Sequence, residues 1–503
     1  MGPVLADLVR GHAAQRPDAP ALSCGDVTVS FGELHARSSR AANALLGLGI
    51  TRGDRVAVLD KNSPAFFEVA FGCSKVGAVV VTLLAPPELA EVIRDARLGV
   101  LLVGAEHLGL VPADLGVPVV VLGAAYEQWL AVADDTDPAA PVSSEDVVLQ
   151  LYSSGTTGRP KGAMITSANL ALTARMAATA WRMGPDSVNL VASPLFHIGG
   201  AGYGLTTLSQ GGHTVLVREA AAAVLLAEVQ RHRVTHAFWV PAVVQSVLDA
   251  PDVEQADLSS LQLVGYGGAP MTEALLTRAI DRLGCGFLGV YGMTETSGTV
   301  LVLPAQDHDP GGPRAHLLRS VGRPLPWVEM SIRDPLTGEP APDGAVGEIW
   351  VRSGQNMAGY WDQPAVTADT LVEDGWLRTG DAAHLDPEGF VFLHDRLKDM
   401  IISGGENVYP AEVENALAAH PAVADVAVIA IPHARWGETV KAVVVLRPGA
   451  SLSLDEVVAF TRERLARYKC PTSLDIVDAL PRNASGKVLK KDLRAAYRLA
   501  GAR

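Results

Sequence analysis

The chain has 503 residues, of which 48% are hydrophobic and 19% charged, and its formal net charge is −14. This length is too great for one ordinary hydrophobic core, so we expect two or more domains. The acidic balance argues against a nucleic-acid-binding protein, which needs a basic face, and no apolar run approaches the roughly 20 residues of a membrane-spanning helix.

The first part of the chain alternates helical and strand-like patterns. Such alternation predicts mostly parallel sheets with helices on their faces. A polar, proline-containing stretch at Asp134–Ser144 indicates a surface linker within this part. The predicted helices are Phe31–Leu48 and Pro64–Val76, and the predicted strands are Arg55–Leu59, Gly77–Leu84, Val100–Val103 and Val119–Leu122.

The same alternation recurs between Val188 and about Val300, and the character of the sequence then changes twice. Val346–Val351 and Phe390–Leu393 have the pattern of strands in a more antiparallel section. Beyond Asp395–Lys398 lies a unit of roughly a hundred residues, a usual size for a small domain. Its predicted elements are helices at Ala411–Ala419 and Leu454–Leu465, strands at Val423–Ile431 and Val440–Leu446, and a basic tail. We therefore predict an α/β protein with a large N-terminal domain, residues 1–396, and a small C-terminal α+β domain, residues 397–503.

The cysteines are few and far apart. Cys24, Cys73, Cys285 and Cys470 form no CxxC pair, so neither a zinc site nor a disulfide framework is expected. Isolated thiols are typical of a reducing compartment, and no signal-peptide pattern opens the chain. We expect a cytoplasmic protein without stable membrane insertion.

A loop rich in anion-binding groups follows the apolar strand Val147–Leu151. It reads YSSGTTGRPKG over residues 152–162. Glycines let the backbone turn its N–H groups toward an anion, hydroxyls add donors, and Lys161 adds positive charge. The loop is not a Walker motif, because Lys161 is followed by glycine rather than by serine or threonine. The sequence therefore predicts a phosphate-binding loop of another kind.

This loop resembles the signature of the adenylate-forming superfamily, which comprises acyl-CoA synthetases, luciferases and the adenylation domains of peptide synthetases. Residues 153–162 match the pattern (S/T)(S/T)GTTGxPKG at every position. Further motifs of that superfamily follow in the same order, so that the resemblance covers nearly the whole chain. They are SPLFH (193–197), YGGAP (266–270), YGMTET (291–296), WLRTGD (376–381), DRLKD (395–399), SGGEN (403–407) and PRNASGK (481–487).

The resemblance implies a large domain with a β-barrel-like section, a mobile small domain and a two-step reaction. A carboxylate attacks the α-phosphorus of ATP, pyrophosphate leaves, and the acyl group then passes from AMP to coenzyme A. Both reactants of the first step are anions, and two unit charges about 4 Å apart repel by roughly 4 kcal/mol at an effective dielectric of about 20. The site therefore needs fixed positive charge and a metal ion.

The resemblance also implies roles for individual residues. Asp381 would accept hydrogen bonds from both ribose hydroxyls, Tyr291 would stack on adenine, and Glu295 would bind Mg²⁺ with Ser153, since magnesium prefers oxygen ligands. The residues expected to contact ATP or AMP are Ser153, Ser154, Gly155, Thr156, Thr157, Gly158, Lys161, Gly268, Ala269, Pro270, Tyr291, Gly292, Met293, Thr294, Asp381, Arg396 and Lys487. The expected catalytic residues are Lys487, Thr294, Glu295 and His197.

The second step is expected to involve the small domain. Lys398 falls at the position of the family hinge, whereas Lys490 and Lys491 have the pattern of a solvated helix face. The expected contacts of coenzyme A are Ser403, Gly404, Gly405, Trp436 and Tyr468.

The acid is less well specified than the nucleotide. The expected acyl pocket consists of His197, Trp239, Tyr266, Gly267 and Gly292, with Val240 beside them. The adenylation domains of peptide synthetases carry an acidic group that holds the amine of the substrate. No such aspartate comes directly after residues 238–241, which disfavours an amino acid as substrate. The segment Asp395–Pro410 most resembles fatty-acyl-CoA synthetases, so we predict a medium- or long-chain fatty acid. The loop at residues 83–88 is shorter than in that superfamily and stays unassigned.

Several alternatives remain open. The acid could be an aryl or other small monocarboxylate, or the acyl group could be loaded onto a carrier protein. An oxidative enzyme like luciferase and a catalytically dead scaffold are two further classes, the second disfavoured by the presence of Lys161, Glu295, Asp381 and Lys487. We expect small-molecule partners, the acid and coenzyme A, and leave monomer or homodimer open.

Overall fold

The computed structural model describes residues 2–83, 89–153, 160–433, 435–482 and 488–500. Two of the predicted functional segments fall outside these ranges. They are most of the phosphate loop, residues 154–159, and the segment 483–487, which ends in Lys487. The unassigned loop at residues 84–88 also lies outside.

The elements alternate along the chain as the sequence predicts. The strands are β1 (Pro20–Cys24), β2 (Val27–Ser30), β3 (Arg55–Leu59), β4 (Val79–Thr82), β5 (Leu98–Val103), β6 (Val119–Val121), β7 (Val147–Ser153), β8 (Lys161–Thr166), β9 (Val188–Val191), β10 (His213–Leu216), β11 (His236–Trp239), β12 (Leu263–Gly267), β13 (Gly286–Met293), β14 (Gly298–Leu303), β15 (Arg323–Pro324), β16 (Glu329–Arg333), β17 (Gly347–Arg352), β18 (Gly359–Tyr360), β19 (Trp376–Leu385), β20 (Val391–Arg396), β21 (Ile401–Ser403), β22 (Glu406–Val408), β23 (Val423–His433), β24 (Gly437–Leu446) and β25 (Ser473–Ile476). The α-helices are α1 (Ala6–Gln15), α2 (Phe31–Gly47), α3 (Pro64–Val76), α4 (Leu89–Ala96), α5 (Ala124–Ala131), α6 (Ser167–Thr179), α7 (Ile198–Ser209), α8 (Ala222–His232), α9 (Pro241–Leu248), α10 (Glu273–Leu283), α11 (Pro364–Thr370), α12 (Pro410–Ala418), α13 (Leu454–Arg462) and α14 (Lys490–Ala500).

Two large sheets make up most of the N-terminal part. Within the described residues, one has nine strands in the order β15-β14-β13-β12-β11-β9-β10-β1-β2, and the other has seven in the order β18-β8-β7-β4-β3-β5-β6. Their central strands pair in parallel. Strands β2, β14, β15, β8 and β18 at the edges pair antiparallel, whereas the edge strand β6 pairs in parallel with β5. The central strands are nearly continuous apolar runs, typical of sheets covered on both faces. The prediction of mostly parallel sheets is confirmed.

The largest buried cluster joins the inner faces of these sheets through α2, α3 and α7. Helix α3 lies close against α2, because a Cβ at Gly72 would come within 2.9 Å of the Ser38 carbonyl oxygen. Glycine is therefore the residue that allows this contact. The second cluster covers the other face of the nine-stranded sheet.

Helix α3 ends where a strand was predicted to begin. Gly77 has φ +73° and donates its N–H to the Cys73 carbonyl oxygen, a left-handed helix cap that glycine adopts without strain. Strand β4 therefore starts at Val79 instead of Gly77.

The two remaining sheets follow in the later part of the chain. One is a four-stranded antiparallel sheet in the order β16-β17-β19-β20, and the other runs β22-β21-β24-β23 with β25 parallel to β24. The antiparallel section of the large domain and the small α+β unit agree with the predicted fold class. In the part of the chain that the structure describes, no helix has both the length and the apolar character to cross a membrane.

Candidate active site

A cavity of about 500 Å³ opens between α7, the ends of the nine-stranded sheet and the antiparallel sheet. It brings together side chains that are far apart in sequence. The predicted site residues that line it are Lys161, His197, Gly268, Gly292, Met293, Thr294, Glu295 and Arg396.

The phosphate loop connects β7 to β8 at the edge of this cavity. Ser153, the last residue of β7, pairs with Lys161, the first residue of β8. Ser154, Gly155, Thr156, Thr157 and Gly158 lie outside the described residues, as does Lys487. The Lys161 ammonium lies 5.2 Å from the centre of the Tyr360 ring.

Glu295 is a buried carboxylate at the wall of the cavity, 6% exposed. It lies in the single helical turn Thr294–Thr296 between β13 and β14. Its Oε1 accepts a hydrogen bond of 2.7 Å from Tyr360 Oη, and its carbonyl oxygen accepts one of 2.8 Å from the Met357 N–H. The Tyr360 phenol, whose pKa is raised by burial and by Glu295, stays protonated and holds the carboxylate in place.

Asp381 and Arg396 face each other across β19 and β20. Arg396 Nε lies 3.1 Å from Asp381 Oδ1, and Tyr291 Oη donates a hydrogen bond of 2.8 Å to Oδ2. The Asp381 carboxylate raises the pKa of Arg396. The Tyr291 ring is buried in the main core, so the sequence-based role in stacking on adenine stays a prediction, whereas its hydroxyl has a partner that the sequence did not indicate.

His197 occupies the position before the first residue of α7, and its side chain lines the cavity. Burial lowers its pKa to about 4, so the imidazole is neutral at physiological pH. The loop before it is held by Asn62, which accepts from the Leu195 N–H at 2.9 Å and donates to the Ser193 carbonyl oxygen at 3.0 Å. His197 can therefore offer one hydrogen bond from a fixed place but no positive charge.

The structure corrects part of the predicted acyl pocket. Trp239 is fully buried in the second core with Tyr266, whereas Phe238 and Val240 line the cavity. Successive side chains of a strand point to opposite faces, so Phe238 and Trp239 of β11 cannot both face it. Tyr266 pairs with Trp239 in β12 and shares its face.

Tyr266 and the two predicted pocket glycines have structural partners of their own. The Tyr266 hydroxyl lies 2.9 Å from His308 Nε2. A Cβ at Gly267 would come within 2.3 Å of the Val290 carbonyl oxygen, and one at Gly292 within 1.9 Å of the Gly298 carbonyl oxygen. These glycines are required by close strand packing, and Gly292 also lines the cavity.

The wall of the cavity near α7 is aromatic. The Tyr203 ring lies 4.8 Å from Trp181 and 5.7 Å from Phe238, measured between ring centres. The Trp181 ring covers Gly265, where a Cβ would come within 2.1 Å of it. The sequence did not single out Trp181 or Tyr203, because neither belongs to a motif and a buried aromatic residue is more often part of a core.

Gly268, at φ +76°, follows β12 and lines the cavity near Val240. Ala269 is half-buried and Pro270 is exposed. This short segment presents backbone rather than large side chains at the edge of the site.

The predicted contacts of coenzyme A cluster in the small unit. Gly404 and Gly405 form the two-residue turn between β21 and β22 with φ of +61° and +89°, and such turns favour glycine whatever their function. Ser403 precedes the turn and is buried. Trp436 is 40% exposed beside Gly404, and Tyr468 is 43% exposed.

The segment after β20 joins the small unit to the large one. Lys398 lies in the turn Leu397–Asp399, where burial and the neighbouring Arg396 lower its pKa. The predicted solvated face of α14 is wrong for Lys490, whose ammonium lies 2.9 Å from Glu414 Oε1 and 3.4 Å from Asp395 Oδ2. Lys491 is exposed, as predicted.

Comparisons with known proteins agree with this arrangement. The family model of AMP-binding enzymes matches residues 9–361, and that of their C-terminal domain matches residues 412–487. A feruloyl-CoA synthase from an Amycolatopsis species is 42% identical over 493 residues, which cover 97% of each chain. The fatty acid–(acyl-carrier-protein) ligase ScoC of Streptomyces coeruleorubidus is 39% identical over 496 residues, covering 96% of this chain and 94% of that one.

A solved structure shows the same fold. The anthranilate CoA ligase AuaEII in complex with anthranoyl-AMP superposes with a TM-score of 0.92 and 29% sequence identity, over 100% of this chain and 98% of that chain. The chain belongs to the AMP-binding enzyme family and is an adenylate-forming, AMP-producing acid–thiol ligase.

Proposed function

We propose that this ligase activates an aryl-type monocarboxylate, such as a substituted cinnamate, and transfers the acyl group to coenzyme A. The observation that carries the proposal is the aromatic wall formed by Trp181, Tyr203 and Phe238 in the cavity that also contains His197 and Glu295.

A flat ring suits this wall better than a long alkyl chain. Aromatic rings that meet edge to face or offset contribute about 0.5–1.5 kcal/mol beyond the area they bury. Behind the wall, Phe67 is fully buried against Gly204 of α7. A long chain extending past Tyr203 would have to displace this core, and large rearrangements of a packed core are costly.

The proposed first step uses the charged side of the cavity. Lys161 and Arg396 line it and reduce the repulsion between the carboxylate and the phosphates. We assign Lys487 as a further cation at the α-phosphate. The neutral His197 would position the acid by one hydrogen bond.

Glu295 is the residue that we propose to hold Mg²⁺. A buried carboxylate fixed by a tyrosine hydroxyl suits a cation that takes one or two carboxylates and completes its ligands with phosphate oxygens and water. When bound, magnesium supplies charge neutralisation for the leaving pyrophosphate.

For the second step we propose that coenzyme A approaches along Gly404 and Gly405, with Trp436 and Tyr468 nearby and Lys398 as the hinge. The exposure of both aromatic side chains supports this assignment, because exposed aromatic residues can stack on a nucleotide base.

A fatty acid, or a carrier protein in place of coenzyme A, is the second candidate. It is favoured by the 39% identity with the fatty acid–(acyl-carrier-protein) ligase ScoC and by the sequence of residues 395–410.

The test is a panel of acids incubated with ATP and Mg²⁺, with and without coenzyme A. Cinnamates, benzoates and alkanoates of 6 to 16 carbons are compared by pyrophosphate release, and the products are identified by mass. We expect cinnamoyl-type CoA thioesters as the best products. Higher kcat/KM for long alkanoates, or acyl-AMP that accumulates without reacting with coenzyme A, would replace the proposal by the second candidate.

A further inference from the structure

Three polar side-chain atoms of residues that line the cavity are buried without a hydrogen-bond partner. They are Trp181 Nε1, Tyr203 Oη and Ser297 Oγ, none of which finds a partner within the described part of the chain. All three residues line the cavity, and their exposed fractions are 2%, 6% and 0%.

An unpaired buried donor or hydroxyl is unfavourable in an apolar surrounding. The backbone carbonyl oxygens of Trp181 and Tyr203 are both paired. The Trp181 oxygen accepts from His236 Nε2 at 3.0 Å, and the Tyr203 oxygen accepts from Asn189 Nδ2 at 3.2 Å. At Trp181 and Tyr203 it is therefore the side-chain polar atom, and not the backbone carbonyl oxygen, that has no partner among the described residues.

The three groups have complementary abilities. The indole N–H of Trp181 can only donate, while the hydroxyls of Tyr203 and Ser297 can both donate and accept. Burial keeps the Tyr203 phenol protonated by raising its pKa. An oxygen that both accepts and donates, such as a phenolic hydroxyl, matches this set, whereas a hydrocarbon end leaves all three groups unpaired.

We propose that Tyr203, Trp181 and Ser297 select an acid that carries a hydroxyl group on its ring. This inference rests on the proposed aryl substrate and adds the polar group by which that substrate is recognised. Sites built to bind a hydroxyl reject the analogue that lacks it strongly, because their own polar groups then stay unpaired.

The experiment is ATP–pyrophosphate exchange with 4-hydroxycinnamate and with cinnamate, which differ only in the ring hydroxyl. Exchange reports acyl-adenylate formation and needs no thiol. For the wild-type enzyme we expect kcat/KM to be tenfold or more higher for 4-hydroxycinnamate.

In the Tyr203→Phe and Trp181→Phe variants we expect the ratio of kcat/KM for 4-hydroxycinnamate to that for cinnamate to fall toward one. Tyr203→Phe removes the hydroxyl and keeps the ring, and Trp181→Phe removes the N–H donor and replaces the indole by a smaller aromatic ring. Trp239→Phe is the matched control: its indole nitrogen is also buried without a partner among the described residues, but it lies on the other face of the sheet. Its ratio should equal that of the wild type.

If the wild-type ratio of kcat/KM for 4-hydroxycinnamate to that for cinnamate is near one, the inference is wrong, whether or not the variants fold. The inference is also wrong if the Tyr203→Phe variant has the same ratio as the wild type. If pyrophosphate exchange shows a tenfold preference for 4-hydroxycinnamate but no CoA thioester forms, coenzyme A is not the acceptor. The inference about the ring hydroxyl is then still supported. Pyrophosphate exchange with alkanoates but with neither cinnamate would contradict both the proposed aryl substrate and the inference about its ring hydroxyl.

Discussion

Tyr291 Oη donates a hydrogen bond of 2.8 Å to Asp381 Oδ2, while Arg396 Nε lies 3.1 Å from Oδ1 of the same carboxylate. Each carboxylate oxygen therefore has a protein partner. Arg396 is the last residue of β20, immediately before the turn that leads into the small unit. Through Tyr291, Asp381 is held to strand β13 in the core. Through Arg396, it is held to the start of the segment that connects the large unit to the small one.

Removing the Tyr291 hydroxyl should weaken the binding of ATP. In Tyr291→Phe the carboxylate keeps Arg396 but loses a charge-assisted hydrogen bond, worth about 1.5–3 kcal/mol. We expect the KM for ATP to rise roughly tenfold in ATP–pyrophosphate exchange, with a smaller change in kcat. Tyr266→Phe, whose hydroxyl contacts His308 in the second core, is the control. An unchanged KM for ATP in Tyr291→Phe would show that Asp381 does not need this partner to bind the ribose.

The Tyr291–Asp381 contact also shows what the sequence can and cannot predict. The motifs identify both residues, and the alternation of helices and strands predicts the fold class, because period and loop composition are local properties. That the two residues touch depends on how the nine-stranded sheet, which contains β13, is placed relative to the antiparallel sheet, which contains β19, and no local pattern encodes this placement.

The acyl pocket was predicted less well for the same reason. Whether Phe238 or Trp239 faces the cavity depends on the register of β11, and a shift of one residue exchanges the two faces. All four residues 236–239 are buried, so their hydrophobicity does not indicate which of them face the cavity and which face the second core. Tyr360 belongs to the two-residue strand β18, too short for any periodicity to indicate that it would reach Glu295.

The Tyr360 hydroxyl should affect the response of the enzyme to magnesium. Tyr360→Phe removes the hydrogen bond of 2.7 Å to Glu295 Oε1, so the carboxylate loses one of the contacts that fix its orientation. We expect the Mg²⁺ concentration for half-maximal pyrophosphate exchange to rise about 5- to 20-fold, in line with the loss of one hydrogen bond to a charged group. Tyr126→Phe removes a comparable hydrogen bond to Glu68 in the main core and should leave the magnesium dependence unchanged. The same magnesium curve for Tyr360→Phe and wild type would argue against Glu295 as the ligand.

Acid should destabilise the protein through its buried histidines. Burial lowers the pKa of four of them to about 4: His197, His213, His308 and His394. With an unfolded value near 6.5, the unfolded chain binds more protons than the folded one between pH 4 and 6.5, so the free energy of unfolding falls as the pH is lowered through this range. Each such histidine contributes a loss of about 1.4 kcal/mol between pH 7.5 and 5.5.

His308 allows this prediction to be tested away from the cavity wall. In the wild type, the free energy of unfolding falls between pH 7.5 and pH 5.5. In the His308→Gln variant this fall should be smaller by about 1.4 kcal/mol, as measured by urea denaturation at the two pH values. The free energy of unfolding at pH 7.5, compared between variant and wild type, reports any loss of packing caused by the substitution itself. A difference as large as that of the wild type would mean that His308 accepts a proton in the folded state as readily as in the unfolded one.

Lys487, the last residue of segment 483–487, should act in only one of the two half-reactions. Because a cation at the α-phosphate stabilises charge that develops during adenylation, Lys487→Ala should lower the rate of acyl-adenylate formation by 100-fold or more. Thioester formation from supplied acyl-adenylate should change less than threefold. The two rates are measured by pyrophosphate exchange and by CoA thioester formation from synthetic acyl-AMP, and equal losses in both would contradict the role.

Lys490 should affect the same half-reaction less strongly, by positioning the segment that precedes it. Its ammonium lies between Glu414 of α12 and Asp395 of β20, which ties the start of α14 to the connection between the two units. Lys490→Gln removes the positive charge that lies between two half-buried carboxylates, so these carboxylates lose their cationic partner.

We expect the Lys490→Gln variant to form the acyl-adenylate about tenfold more slowly. Thioester formation from supplied acyl-AMP should be retained, and the KM for the acid should be unchanged. Lys491→Gln, at an exposed neighbouring position, is the matched control. A purely structural role would instead lower the free energy of unfolding and reduce both half-reactions in the same proportion, because each would then depend only on the amount of folded enzyme.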